Sequence, residues 1–130
     1  MINVDIVTPS RKLVENTKAQ DVCIPTRKGE IMVLQGHTEL LTILDTGALV
    51  LHQDGGQRKF AVSYGFAEIR NDKVLILAET CEESTEIDVE RAKAAQKRAE
   101  DALTGSLTED RFKKYQLKLQ RAIIRQHISQ

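Results

Sequence analysis

The chain has 130 residues, enough for one ordinary hydrophobic core and a small appendage. Its 19 basic and 19 acidic side chains give a formal net charge of zero, which offers no argument for a nucleic-acid partner or for binding to a membrane surface. The charge is unevenly distributed, because residues 1–86 carry a net charge of −4 and residues 87–130 a net charge of +4. The apolar runs are far too short to span a membrane, and Asn3, Asp5 and Pro9 interrupt any signal-peptide core, so we expect no export signal and no direct membrane insertion.

Residues 3–80 are predicted to form short β-strands. Residues 3–7 alternate apolar and polar side chains and are followed by Pro9. Two segments, DGGQ (54–57) and RNDK (70–73), each lie between strand-like runs and predict hairpins, since Gly accepts positive φ cheaply and Asn-Asp suits the tip of a tight turn. Many short strands with regular turn signals favour an antiparallel β-sandwich or flattened barrel.

Cys23 and Cys81 are the two cysteines of the chain, and each lies in an apolar, strand-like run. A chain without an export signal keeps its thiols reduced, so both are predicted to be buried structural residues. The sequence contains no CxxC motif and no local His/Cys cluster, so no metal site is expected.

From residue 87 the apolar period changes to that of a helix. Ala92, Ala95, Ala99 and Ala102 recur at spacings of three and four, and Gly105 predicts a stop. The spacing of Ser106 and Glu109 then predicts a capping box that opens a second helix. That helix carries an apolar stripe of Phe112, Tyr115, Leu119 and Ala122. The predicted fold class is α+β: an N-terminal antiparallel β-sandwich or flattened barrel over residues 1–84, then a C-terminal antiparallel α-helical hairpin over residues 85–130. An alanine face buries little apolar area, so we expect the hairpin to be held weakly.

The second helix also carries a continuous basic stripe with spacings of three and four. Its members are Arg111, Lys114, Lys118, Arg121 and Arg125. A solvated helix face is the ordinary explanation of such a stripe. Solvated faces usually mix charges of both signs, however, whereas this helix has no acidic residue after Asp110. The pattern therefore also suits a helix that binds anions, either an acidic protein surface or a phosphorylated ligand.

Taken in order, five segments of the chain resemble the epsilon subunit of bacterial F-type ATP synthases. They are NVDIVTPSRKL (3–13), GEIMVLQGHTELLTILDTGAL (29–49), FAVSYGFAEI (60–69), NDKVLILAETCEE (71–83) and IDVERAKAAQKRAEDAL (87–103). The resemblance covers nearly the full length and implies the same sandwich and hairpin. Two positions depart from it: Gln35 stands where the family often has Pro, and Tyr64 stands where it often has a small residue.

The resemblance implies a central-stalk rotor subunit that is not itself an enzyme. The implied partners are the gamma subunit, the membrane ring of c subunits and the alpha/beta catalytic hexamer, with the protein attached peripherally at the cytoplasmic face of the bacterial plasma membrane. A loop bearing Glu30 and His37 is expected to contact the ring. The basic stripe (Arg111, Lys114, Lys118, Arg121 and Arg125) is expected to meet acidic segments of the catalytic subunits and to inhibit ATP hydrolysis when the hairpin extends.

IDVERA (87–92) matches the family pattern [IL]-D-x-x-R-A of ATP-binding members. By this resemblance the nucleotide-binding residues are Glu82, Ile87, Asp88, Arg91, Ala92, Arg98, Arg121 and Arg125. The apolar pair Ile87 and Ala92 would contact the adenine, the two carboxylates would accept hydrogen bonds, and the arginines would bind phosphates. The sequence has no GxxxxGK[ST] motif, so ATP is expected to be a regulatory ligand that is bound without hydrolysis and without a metal.

Simpler explanations exist for these residues. Asp88 is also suited to cap the first helix, with Arg91 as its i,i+3 ion-pair partner. His37 has no accompanying nucleophile motif, so a structural role suits it better than catalysis. Two other functions therefore stay open beside the rotor subunit: a stand-alone nucleotide sensor and a structural adaptor that binds no ligand.

Overall fold

The computed structural model describes residues 1–105 and 107–129. Eight strands come first: β1 (Ile2–Val7), β2 (Lys12–Ala19), β3 (Asp21–Thr26), β4 (Gly29–Leu34), β5 (Leu40–Leu44), β6 (Gly47–Gln53), β7 (Gly56–Arg70) and β8 (Lys73–Glu83). A single 3₁₀ turn (Ser84–Glu86) leads to α1 (Val89–Leu103) and α2 (Glu109–Ile128). The predicted fold class is thus confirmed: a β-sandwich followed by a two-helix hairpin.

The strands form a connected sheet in the order β2-β1-β8-β7-β5-β3-β4, and β6 pairs with both β3 and β7. The long strand β7 pairs with β6 over residues 56–62 and with β5 over residues 65–69, so one strand serves two parts of the sandwich. The pairing of β1 with β8 is parallel, whereas the other pairs among the described residues are antiparallel. The prediction of antiparallel pairing therefore omitted this one pair, which joins residues far apart in the chain.

Both predicted hairpins are confirmed. Gln53 pairs with Gly56 across Asp54-Gly55, and Gly55 adopts φ +85°. Arg70 pairs with Lys73 across Asn71-Asp72, whose φ angles are +49° and +59°. Two successive residues at positive φ are what a type I′ turn requires, and Asn and Asp tolerate that region better than other side chains.

The core lies inside the sandwich and is lined by alternate residues of the strands. On β1 the side chains of Ile2, Val4 and Ile6 are fully buried and the residues between them are half-buried, as the period of two dictates. Cys23 and Cys81 are free and buried, as predicted, and burial raises the pKa of both thiols, that of Cys81 to about 12.

The hairpin contributes little to this core. Among residues 85–105 and 107–129, its buried side chains are Ala92, Ala99, Ala122 and Ile128, and none of them belongs to the core cluster of the sandwich. Phe112 of the predicted apolar stripe is 44% exposed, so that stripe is not buried along its whole length. Neither helix, within the described residues, has the length and hydropathy that crossing a membrane requires.

The second helix begins differently from the prediction. Its N-cap is Thr108, whose hydroxyl accepts a hydrogen bond from the backbone N–H of Arg111 at 3.3 Å. The predicted capping box at Ser106 is wrong in this respect, since Glu109 is the first residue of the helix and Ser106 itself lies outside the described residues. Glu109 and Asp110 in the first turn complement the positive end of the helix dipole.

Candidate functional site

A cleft opens where the end of β8 meets the start of α1; we call it the junction cleft. Its volume is about 310 Å³, and it is lined by Glu82, Glu86, Ile87, Asp88, Arg91, Ala92 and Arg125. Its apolar residues are Ile87, just before α1, and Ala92, within α1. Its charged residues carry three carboxylates and two guanidinium groups. Six of the eight predicted nucleotide-binding residues meet here, although Arg125 is distant from the others in sequence.

A second cleft, which we call the interhelix cleft, lies between α1 and α2. Its volume is about 450 Å³, and it is lined by Ala95, Arg98, Ala99, Ala102, Tyr115, Lys118, Arg121 and Arg125. The two remaining predicted residues, Arg98 and Arg121, lie here. Arg125 lines both clefts and therefore marks the boundary between them. The predicted site is thus divided between two adjacent clefts.

Arg125 makes an ion pair with Glu82 across the junction cleft. The guanidinium and carboxylate lie 2.6 Å apart, and the two side chains are 31% and 33% exposed. The pair joins α2 to the end of β8. At this exposure such a pair contributes at most about 1 kcal/mol to stability. It also leaves Arg125 already matched with a carboxylate in the compact form.

Arg121 binds the sandwich through a neutral partner. Its Nε donates to the Ser63 hydroxyl at 2.9 Å, and Ser63 is buried in β7. Ser63 was missed in the sequence, since nothing local distinguishes a serine whose partner is 58 residues away. Glu86, which lines the junction cleft and pairs with Arg11 at 2.5 Å, was missed for the same reason.

The capping role of Asp88 is confirmed. Its carboxylate accepts a hydrogen bond from the backbone N–H of Arg91 at 3.2 Å, which satisfies one of the free donors at the start of α1. The predicted side-chain ion pair between Asp88 and Arg91 is not among the ion pairs of residues 1–105 and 107–129. The Arg91 guanidinium therefore lines the junction cleft without that carboxylate as a partner.

The basic stripe of α2 divides into two parts. Arg121 and Arg125 are half-buried against the sandwich, whereas Arg111, Lys114 and Lys118 are exposed. None of these last three has a carboxylate partner within the part of the chain that the structure describes. The Lys118 ammonium instead lies 5.2 Å from the centre of the Tyr115 ring.

Glu30 and His37 do not share a loop, which corrects the prediction. Glu30 lies inside β4, paired with Pro25, because the β3–β4 ladder continues through it to Gly29. His37 follows the other end of β4, roughly 13 Å away along the strand.

The two departures from the family pattern, Gln35 and Tyr64, lie on the surface. The Gln35 side chain accepts a hydrogen bond from the amino terminus. Tyr64 has φ +45°, and its ring faces the Arg27 guanidinium.

The chain belongs to the class of proteins built from a β-sandwich and a following cationic two-helix hairpin. Known family models match both of these domains. Residues 1–84 match the family model of the ATP synthase delta/epsilon chain β-sandwich domain, and residues 85–130 match that of the long α-helix domain. The chain therefore belongs to the ATP synthase delta/epsilon chain family.

Its curated relatives are epsilon chains. The chain is 42% identical over 129 residues to the ATP synthase epsilon chain of Trichlorobacter lovleyi, covering 98% of this chain and 93% of that one. It is 41% identical over 121 residues to that of Desulforamulus reducens, covering 93% and 91%. The function of the chain is accordingly that of an ATP synthase epsilon subunit.

Solved ATP synthase structures share the fold. A chain of the Euglena gracilis mitochondrial ATP synthase superposes with a TM-score of 0.81 at 24% identity, covering 92% of this chain and 75% of its own length. A chain from the central stalk and c-ring structure of the Tetrahymena thermophila mitochondrial ATP synthase gives 0.68 at 14% identity, covering 99% and 96%. These likenesses establish the fold.

Proposed function

We propose that the chain is a regulatory subunit of the central stalk of a bacterial F-type ATP synthase, peripheral to the cytoplasmic face of the plasma membrane. In this proposal the sandwich binds the gamma subunit and the ring of c subunits, and the hairpin controls ATP hydrolysis by the alpha/beta hexamer. Neither nucleic acid nor insertion into the membrane has a part in it. The observation that carries it is the divided basic stripe, since two of its arginines hold the sandwich while the other three cations stay exposed.

An exposed apolar row on the sandwich supports a protein partner there. Ile43, Phe66 and Leu77 lie in register across β5, β7 and β8, and they are 37%, 46% and 46% exposed. Leu41, two residues before Ile43, is 69% exposed on the same face. Contiguous exposed apolar side chains of this kind mark protein interfaces. We assign this apolar row to the gamma subunit, and His37 and Glu30 to the ring of c subunits.

The hairpin is suited to leave the sandwich. Three of the four side chains that are buried in the described part of the hairpin are alanines, so the apolar area that holds it is small. Two of its polar attachments, Arg125 to Glu82 and Arg121 to Ser63, use guanidinium groups, and a guanidinium group also binds the carboxylates and phosphates of other partners. An acidic surface of the catalytic subunits can therefore replace them when the hairpin extends along gamma, and the exposed Arg111, Lys114 and Lys118 add to that attraction.

ATP would favour the compact hairpin, because a ligand stabilises only the state that contains its whole site. In the junction cleft, Ile87 and Ala92 would contact the adenine while Glu82 and Asp88 accept hydrogen bonds. Phosphates would reach from Arg91 past Arg125 towards Arg98 and Arg121 of the interhelix cleft. A phosphate would replace the Glu82 carboxylate on Arg125, which frees that carboxylate for the base or ribose. ATP is a regulatory ligand in this proposal; it is bound without hydrolysis and without a metal.

Calorimetric titration of the full chain with ATP tests the ligand. We expect saturable binding that Arg98→Ala and Arg125→Ala each weaken at least roughly tenfold, the loss of one charge-assisted contact. Lys97→Ala is the matched control, because Lys97 is the exposed neighbour of Arg98 and lines neither cleft. Absence of binding would leave a structural adaptor whose hairpin the Glu82–Arg125 pair closes without a ligand. Failure of the tagged chain to retain the other ATP synthase subunits would favour a stand-alone sensor.

A further inference from the structure

Three potential metal ligands meet on the sandwich, away from both clefts. Asp21 and Cys23 lie on β3 and His52 on β6, and one ligand atom from each lies within 4.8 Å of the others. Asp21 and Cys23 are two residues apart and so face the same side, and Asp21 pairs directly with His52 in the antiparallel register. We call this group the β3–β6 cluster. Sequence analysis missed it, because strand pairing alone brings together residues 31 positions apart.

The donor atoms select the kind of ion. A thiolate sulfur, an imidazole nitrogen and a carboxylate oxygen form the mixed set that Zn²⁺ accepts, whereas Mg²⁺ and Ca²⁺ take oxygen ligands. Three protein ligands with a fourth position open to water are a recognised zinc arrangement. The cluster therefore fits a borderline-soft divalent cation such as Zn²⁺. It does not suit the hard cations Mg²⁺ and Ca²⁺, because sulfur and nitrogen donors are poor ligands for them.

The geometry needs only small side-chain movements. Tetrahedral Zn²⁺ with bonds of about 2.0–2.3 Å holds its ligand atoms roughly 3.4 Å from one another. The three ligand atoms of the cluster already lie within 4.8 Å of one another. His52 Nδ1 is now hydrogen-bonded to Asp21, and an ion between them would replace that one bond with two metal–ligand bonds. The backbones stay fixed by the β3–β6 ladder and by the Gln20 N–H, which donates to the His52 carbonyl at 2.8 Å.

An ion can reach the cluster from solvent. The Asp21 and His52 side chains are 21% and 35% exposed, and a shallow surface depression lined by both of them adjoins the cluster. Cys23 is 8% exposed, so its thiol forms the floor beneath the other two. We propose that the β3–β6 cluster is a Zn²⁺ site in which Asp21, Cys23 and His52 are the protein ligands and water is the fourth. The bound ion joins β3 to β6 and stabilises the folded sandwich, independently of the hairpin.

Titration of the metal-free, reduced full chain with Zn²⁺, and in parallel with Co²⁺, tests the proposal. We expect one equivalent of Zn²⁺ to bind and to raise Tm, and Co²⁺ to give a thiolate charge-transfer absorption. Cys23→Ser should remove that absorption and weaken Zn²⁺ binding at least roughly tenfold, and His52→Gln should weaken it similarly. Cys81→Ala and His37→Gln are the matched controls and should bind as the unaltered chain does. Excess Mg²⁺ should not compete.

Two results would overturn it. One is the absence of saturable Zn²⁺ binding by the unaltered chain. The other is Zn²⁺ binding and Co²⁺ absorption that persist unchanged in the Cys23→Ser chain, or that are lost in a folded Cys81→Ala chain. If Cys23→Ser fails to fold, His52→Gln decides the matter, because the partly exposed His52 side chain lies outside the core cluster and we expect the sandwich to fold without it.

Discussion

Gly65 occupies a point of β7 where a side chain cannot fit. Its φ is +148°, and a Cβ there would lie 1.9 Å from the Leu77 carbonyl oxygen of β8. The neighbouring backbone cannot yield without breaking the β7–β8 ladder. This glycine therefore permits the close approach of two central strands of the sandwich.

Gly65→Ala should lower the free energy of unfolding by about 3 kcal/mol or more, since it combines backbone strain with a clash against backbone. Gly55→Ala is the control, because Gly55 has φ +85° but nothing within 4 Å of an added Cβ, and it should cost only about 1 kcal/mol. Urea denaturation measures both. Equal losses in the two variants would show that the contact with Leu77 does not matter.

Glu83 should make stability depend on pH. Two hydrogen bonds from the Arg58 guanidinium, at 2.7 and 2.9 Å, lower its pKa below the ordinary 4.5. A carboxylate with a lowered folded-state pKa stabilises the fold above its unfolded value, and this contribution disappears as the pH falls through the lower folded value. Glu83→Gln should therefore destabilise the chain near neutral pH and flatten the fall in stability as the pH drops below about 5.

Chemical denaturation across that pH range checks this behaviour, with the exposed Glu68→Gln as the control. A Glu83→Gln chain whose stability falls as steeply with acid as that of the unaltered chain would exclude the Arg58–Glu83 pair as the cause.

Among the secondary-structure elements, the two helices of the hairpin each begin at a polar capping residue. Asp88 and Thr108 each satisfy a backbone donor at a helix start. Thr108→Ala should destabilise α2 by about 1 kcal/mol, and Thr108→Ser should retain most of the cap. Hydrogen exchange of the α2 amides should accelerate roughly fivefold in the alanine variant and little in the serine variant. Equal acceleration in both variants would mean that the methyl group, not the hydroxyl, is the important part.

The exposed half of the basic stripe should act only in inhibition. Arg111→Glu with Lys114→Glu should weaken inhibition of ATP hydrolysis, because acidic side chains are repelled by an acidic surface. ATP binding should not change, since neither residue lines a cleft. Lys93→Glu with Lys97→Glu on α1 is the matched charge control. Loss of inhibition in both double variants would indicate a general charge effect, not a specific stripe.

Local patterns in the sequence predicted the elements well. Gly-Gly and Asn-Asp marked the hairpins, period-two alternation marked β1, and alanine spacing marked α1, because each signal depends on neighbouring residues. Long-range arrangements were not predictable in this way. The parallel β1–β8 pair depends on tertiary packing, and the cap of α2 depended on a choice between nearby hydroxyls that propensity does not decide.

The candidate site was likewise predictable in part, and its long-range contacts were not. The capping role of Asp88 was predictable from its place before a helix, and the family pattern named residues that the fold gathers along two adjacent clefts. The ion pair of Glu82 with Arg125 and the bond from Arg121 to Ser63 were not predictable, since each joins the sandwich to α2 through the folded structure alone. Glu30 and His37 were misplaced because their separation depends on where β4 begins and ends.

For the whole molecule, the central proposal is a hairpin whose position depends on the anion that it binds. ATP that binds only the compact form should raise the stability of that form by about 2.7 kcal/mol at a concentration of 100 Kd. Tm of the full chain should therefore rise with ATP, and Tm of a chain ending at Glu86 should not, because that chain keeps only Glu82 of the eight proposed ligands. An equal rise in both chains would place the nucleotide on the sandwich.

The most direct measurement is the rate of ATP hydrolysis by the assembled ATP synthase, reconstituted with the full chain or with the chain ending at Glu86. The core cluster lies wholly within the residues that the shorter chain keeps, so that chain should still fold and join the complex. If the hairpin inhibits hydrolysis, the complex with the shorter chain will hydrolyse ATP faster, most clearly at low ATP concentration. Equal rates in the two complexes at every ATP concentration would contradict the proposed role of the hairpin.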